Sequence, residues 1–220
     1  MVVNSRLNYS LAAVHFILGT GVWIWFATQT KPQPEFLNPS LYDVVLNDSE
    51  VEANKAWNLT IKAIEGCIIA YFFITAFFHL FYATDGFCSG IYSSMLANGN
   101  NWIRWIEYAI TATLMIFVIS LISGMKDYSF VILTLCIFPV LMLQGQTVER
   151  ALTDSDCTGA TRVSDILVPT LTGWAILIGV FALIIRAFNQ RISEVKTAGF
   201  TVPAWLYFVI YPMLVWFASF

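Results

Sequence analysis

Six windows of the chain, residues 9–27, 61–83, 101–123, 128–147, 166–188 and 200–220, are each apolar over close to the length needed to cross a lipid bilayer. The hydrocarbon layer is roughly 30 Å thick and offers backbone groups no water, so an apolar segment of about 20 residues buried there must close its own hydrogen bonds as a helix. That requirement alone narrows the fold class to an all-α membrane protein, a single bundle of membrane-spanning helices. Composition points the same way: 58% of residues are hydrophobic and 11% charged. With a mean hydropathy of +0.72, 220 residues carry more apolar surface than a soluble domain of that size can hide. The first window is long and rich in tryptophan and has no small-residue cleavage site after it, so it reads as a spanning helix and not as a leader.

The connecting stretches carry their own signals. Residues 28–60 are polar, with Pro32, Pro34 and Pro39, and form a long loop outside the membrane in which Leu41 to Leu46 has the β-branched and aromatic content of a short strand. Two acceptor sequons, Asn47 with Ser49 and Asn58 with Thr60, can be glycosylated only if that loop faces the exterior or a lumen. Residues 85–101 read as a connecting loop, with Asn100 or Asn101 capping the third helix. Residues 124–127 are a tight turn, Pro139 is a kink site in the fourth helix, and 189–199 is a charged link. The four cysteines show no metal spacing; a Cys88–Cys157 disulfide would require both to lie in an oxidising compartment. A net charge of −3 with no basic run excludes nucleic acid as a partner.

Few residues within the windows can carry chemistry. Glu107 stands about two turns into the third helix, where an ionised carboxylate costs roughly 2.5–3.5 kcal/mol on insertion scales unless a cation, a proton or water lies beside it. Arg104, at i−3, is the nearest cation, and a pair of the two near the head groups is the bland reading. His15 and His79 are each more ordinary as packing residues. With antiparallel neighbours, however, they fall at a depth similar to Glu107 on one side of the membrane, which suggests a polar cavity. Two histidines without a third convergent ligand do not make a zinc site. Gln144 needs a partner wherever it is buried, and Trp174 could pack against a ring-shaped ligand or simply against a helix. Serines, histidines and acids are too scattered for a hydrolytic constellation, so the chain is not read as an enzyme.

The run Arg104-Trp105-Ile106-Glu107-Tyr108, followed by Ala109, Ile110, Thr111, Ala112, Thr113, Leu114 and Met115, resembles the third helix of the heliorhodopsins, and similar patterning extends over most of the chain. The resemblance implies a rhodopsin-like helical bundle that binds all-trans retinal, with Glu107 as counterion of the retinal Schiff base. It implies that Tyr108 and Thr111 line the polyene and that Met142 and Gln144 contact the chromophore. Trp174 joins this set as a packing candidate, and His15 and His79 are read as a cavity that accepts a proton. The family carries its retinal lysine in a seventh helix. Here six of the expected seven helices are found, and Lys31, Lys55, Lys62, Lys126 and Lys196 all fall in loops or at helix ends. The chain therefore reads as a fragment of a longer retinal protein, or as a relative that does not hold the chromophore covalently.

The resemblance also implies a cytoplasmic N-terminus, an exterior loop over 28–60 and a homodimer. The positive-inside count opposes that orientation, since Arg6, Arg104, Arg150 and Arg162 share the side of the N-terminus while Lys31, Lys55, Lys62, Lys126, Arg186, Arg191 and Lys196 lie opposite. No second acid follows Glu107 in the third helix, so the expected function is light sensing that signals to an unidentified partner protein rather than ion pumping. A light-gated proton conductor and a chromophore-free six-helix scaffold remain the alternatives. A solute transporter would need an inverted repeat, which the chain lacks.

Overall fold

The computed structural model describes residues 5–28, 40–47, 50–58, 61–153, 162–197, 207, 210–212 and 215, and of the strand residues only the backbone. Among these, five helical segments are long and apolar enough to cross a membrane. They are α1 (Ser5–Thr28), α2 (Ile61–Ala83), α5 (Trp102–Ile122), α6 (Tyr128–Thr153) and a run that opens with a π-helical turn at Val163–Leu167 and continues as α7 (Val168–Thr197). At about 1.5 Å per residue, the 21 residues of α5 cover the hydrocarbon thickness. Large apolar side chains point outward from these helices, with Ile17 67%, Val140 62% and Ile178 61% exposed. In water such a surface would aggregate; in a bilayer it is the solvated face. The chain is thus an integral, multi-pass membrane protein. The sixth expected helix, 200–220, lies largely outside the described residues, as do Lys31 and Cys157.

Between α1 and α2 the backbone forms an antiparallel hairpin, β1 (Ser40–Asn47) with β2 (Glu50–Asn58), in which Asn47 lies opposite Glu50 and the register slips between Leu41 and Tyr42. Helix α1 packs along α2 so closely that a Cβ on Gly19 would sit 3.0 Å from Phe72 Cβ. The principal core lies between α5, α6 and α7, where Ile116, Ile119, Phe138, Ile184 and Phe188 are fully or almost fully buried. A second cluster, including Ile64, Phe117, Leu121 and Val131, joins α2 to α5 and α6.

Two stretches read from the sequence as links are structured. The charged link after 188 continues as helix through Thr197, because its charges pair at the surface: Glu194 accepts from Arg191 one turn away and from Lys126 in the α5–α6 turn, each at 3.3 Å. The expected loop over 85–101 contains α3 (Asp85–Cys88), a single turn, and α4 (Ile91–Ala97). The physical reason for α4 is a hydrophobic one: Met95 is buried with Tyr82 and Ile103, and Tyr92 packs on the same cluster. The α3 turn is left-handed, with φ of 50°, 67°, 56° and 67° from Asp85 to Cys88. Only Gly86 adopts that region freely; each of the three L-residues is disfavoured there by about 1–2 kcal/mol.

Asp85 offsets part of that cost from the surface. Its Oδ1 accepts from the Ser93 amide at 2.6 Å and its Oδ2 from the Ser93 hydroxyl at 2.5 Å, and these bonds hold its carboxyl below the usual aspartate range. Because the folded-state pKa lies below the unfolded one, the contribution is complete above the ordinary aspartate value and disappears as pH falls through the depressed one. Acidification should therefore lower the protection of the Ser93 amide, its exchange measured against the intrinsic rate at each pH, in the wild type. Asp85→Asn should show the lower protection already at neutral pH and no further loss in that window.

Candidate functional site

Helix α5 starts where Asn101 caps it, its side chain accepting from the Arg104 amide at 3.3 Å. From there the helix presents two different faces. Arg104, Trp105, Tyr108, Thr111, Ala112 and Met115 line a partly open cavity of about 1020 Å³, bounded elsewhere by residues of α6, α7 and α2 and by Pro212. At 3.6 residues per turn these six centre on a face roughly 90° from Glu107, with Thr111 and Arg104 at the near edge.

Glu107 itself turns toward α2. It is 5% exposed, and its Oε2 accepts from the Tyr82 hydroxyl at 2.8 Å. The i−3 ion pair with Arg104 does not form. Arg104 Nη2 instead donates to Glu149 Oε1 of α6 at 3.0 Å, and Glu149 Oε2 accepts from Trp105 Nε1 as well. Arg104 is the more exposed residue and Glu149, forty-five positions away, is brought to it by the antiparallel packing of α5 on α6. Glu107 is thereby left as a buried acid whose hydrogen-bond donor is a neutral phenol.

Of the residues singled out in the sequence, Tyr108, Thr111, Met142, Gln144 and Trp174 all line the one cavity, whereas Glu107 flanks it. Thr111 Oγ1 donates back to the Glu107 carbonyl at 2.8 Å, tying the two faces together. The Gln144 amide donates to Pro169 O at 3.0 Å and to Thr172 Oγ1 at 2.9 Å, which joins α6 to the first turn of α7. His15 and His79 stack with centroids 5.4 Å apart; they are outside the cavity, on the α1–α2 side. His15 Nδ1 lies 2.8 Å from the Leu11 carbonyl and His79 Nδ1 lies 3.2 Å from Asn8 Oδ1. Both partner atoms are acceptors, an arrangement that suits a hydrogen on each Nδ1.

Four participants escape a reading of the third helix alone. Tyr82 and Tyr71 of α2 share a face with Thr75 and His79, a spacing of four, four and three that marks a polar stripe on an otherwise apolar helix. Glu149 is the acid that claims Arg104. Gly145 supports Trp105: a Cβ there would overlap the outer carbons of the indole, and even Cε3 would be 3.1 Å away.

The cavity suits a long apolar ligand with an aromatic wall. Phe138, Leu141, Met115, Leu177 and Trp174 line its apolar part, and Arg104, Glu149 and Thr153 its polar end. Its volume stands at the top of the ~300–1,000 Å³ typical of ligand pockets. The lining is compatible with an apolar polyene such as retinal. Among the described residues none of those lining it is a lysine, and Lys62, Lys126 and Lys196 lie at helix ends or turns. Groups of three or more metal-ligating side chains are absent among the described residues. No curated protein matches the chain. A family model described as heliorhodopsin matches residues 5–220, and with it the spanning helices and the largely apolar cavity have one explanation: the chain belongs to the heliorhodopsin family, retinal-type light-sensing proteins of the membrane.

Proposed function

We propose that the protein is a light sensor that signals rather than pumps, with Glu107 as the counterion of a retinal-borne cation. When bound, retinal would supply absorption of visible light and isomerisation of a double bond, and it would carry a positive charge only once its aldehyde is joined as an imine to an amine, which none of the described residues lining the cavity provides. The observation that carries the reading is a buried carboxylate with no cationic partner among the described residues, beside a large, mostly apolar cavity. Opposite charges a few ångströms apart favour each other's charged forms, so Glu107 would hold its proton off while the cation is near. Tyr108, Thr111, Met142, Gln144 and Trp174 would confine the polyene, with Gln144 fixed by its two bonds to α7 and unable to turn inward without losing them. His79 Nε2 and His15 Nε2 would receive the proton released when the charge pair separates. Helix α5 holds no second acid after Glu107, which supports retention of the proton on one side over transport. The cytoplasmic N-terminus, the exterior hairpin and a homodimer are part of the same proposal.

The test is to express the full-length protein, add all-trans retinal and record the visible spectrum. A visible band that changes on illumination is the expected result. Retinal that stays at its free absorption, with no change in light, would leave a helical scaffold as the better description.

A further inference from the structure

Tyr82 belongs to two groups at once. Within the membrane its hydroxyl donates to Glu107 at 2.8 Å. Its ring stacks on that of Tyr92, with centroids 4.6 Å apart and planes at 29°. Tyr92 lies in the first turn of α4, outside the spans. Tyr82 is buried in this arrangement, as are Met95 of α4 and Ile103 at the start of α5. A buried aromatic stack of this kind has few rotamers, so a displacement at the hydroxyl end cannot be absorbed locally.

The segment on the far side of that stack is held by its surroundings and not by backbone preference. The left-handed α3 turn leads directly into α4. Phe87, exposed, leans against Phe77 and Phe81 with centroids 5.9 and 5.2 Å away, and Asp85 spans from the turn to Ser93. A segment kept in a disfavoured conformation by a few side-chain contacts changes state when one of them is altered.

We infer that Tyr82 is a positioning residue that couples the charge and placement of Glu107 to the surface segment 84–97, which makes that segment the face on which the state of the pigment site is displayed. The inference rests on the light-sensing reading only in naming what changes the charge on Glu107. A charged acceptor binds the phenol about twice as strongly as a neutral one. Neutralising Glu107 therefore frees the Tyr82 ring, and Tyr92 and α4 loosen with it.

Hydrogen exchange of the full-length protein in lipid, in the dark, without retinal and at an alkaline pH that ionises Glu107 without a cation beside it, tests the coupling through a double-mutant cycle of Glu107→Gln and Tyr82→Phe. Glu107→Gln is expected to raise exchange over 91–97 about tenfold, and to change it less than about twofold on the Tyr82→Phe background. An equal effect in both backgrounds, or none in either, overturns the inference. Tyr92→Leu serves as a second break in the stack if Tyr82→Phe does not fold, with the same two outcomes. With retinal added, illumination should raise exchange over 91–97 in the wild type and not in Tyr92→Leu; a pigment that forms and leaves 91–97 unchanged in light also overturns it. Absence of any pigment in the wild type counts against the light-sensing reading, while the dark cycle still decides the coupling.

Discussion

Replacing Glu107 by Gln is expected to move the visible band of the retinal-loaded protein to the red. Two unit charges 4 Å apart at an effective dielectric near 20 interact by about 4 kcal/mol, and the burial of Glu107 keeps water from screening that interaction. The stabilisation acts most on the ground state, whose positive charge sits at the imine end; excitation carries the charge along the polyene, away from the acid. Losing the carboxylate's charge raises the ground state more than the excited state and narrows the gap. Glutamine preserves the shape and an acceptor for the Tyr82 hydroxyl, so the comparison isolates the charge. A band that stays in place, measured on protein with wild-type pigment yield, would remove Glu107 from the counterion role.

The second large effect is expected at Gly145. An alanine there overlaps the Trp105 ring, and the indole cannot swing aside without giving up its bond to Glu149, the acid that also holds Arg104. Overpacking a close contact typically costs 1–3 kcal/mol, and the loss of a charge-assisted bond adds to it. Gly145→Ala should thus lower the unfolding free energy in detergent by about 3 kcal/mol and reduce retinal uptake. On a Trp105→Leu background the same change should cost less than about 1 kcal/mol, since the ring it strikes is gone. Equal costs in the two backgrounds would show that the α5–α6 contact is not what Gly145 serves.

The helices were legible because the bilayer judges each segment alone. A stretch such as 101–123 either satisfies its own backbone or stays out of the hydrocarbon, and length with apolarity decides which. The heliorhodopsin resemblance was carried by a local run, Arg104 to Tyr108, and the cavity-lining positions Thr111, Met142, Gln144 and Trp174 were singled out from it and from residue chemistry. Segment 85–101 reads as a loop for an equally local reason: its glycines and asparagines dominate the pattern, while Tyr92 and Met95 have nothing to pack on until α2 and α5 stand beside them.

What only the tertiary structure decided is which polar group meets which. Sequence spacing put Arg104 beside Glu107, three residues away; folding gave Arg104 to Glu149, forty-five away, and gave Glu107 the phenol of Tyr82. Periodicity describes one helix's faces and says nothing of the rotation at which two helices dock, so partners across an interface carry no local signature. That the chain would lie in a membrane, and that Glu107 is its costly residue, was written in the order of its amino acids; that Glu107 is paired with a neutral hydroxyl joined to a surface helix came from the packing alone.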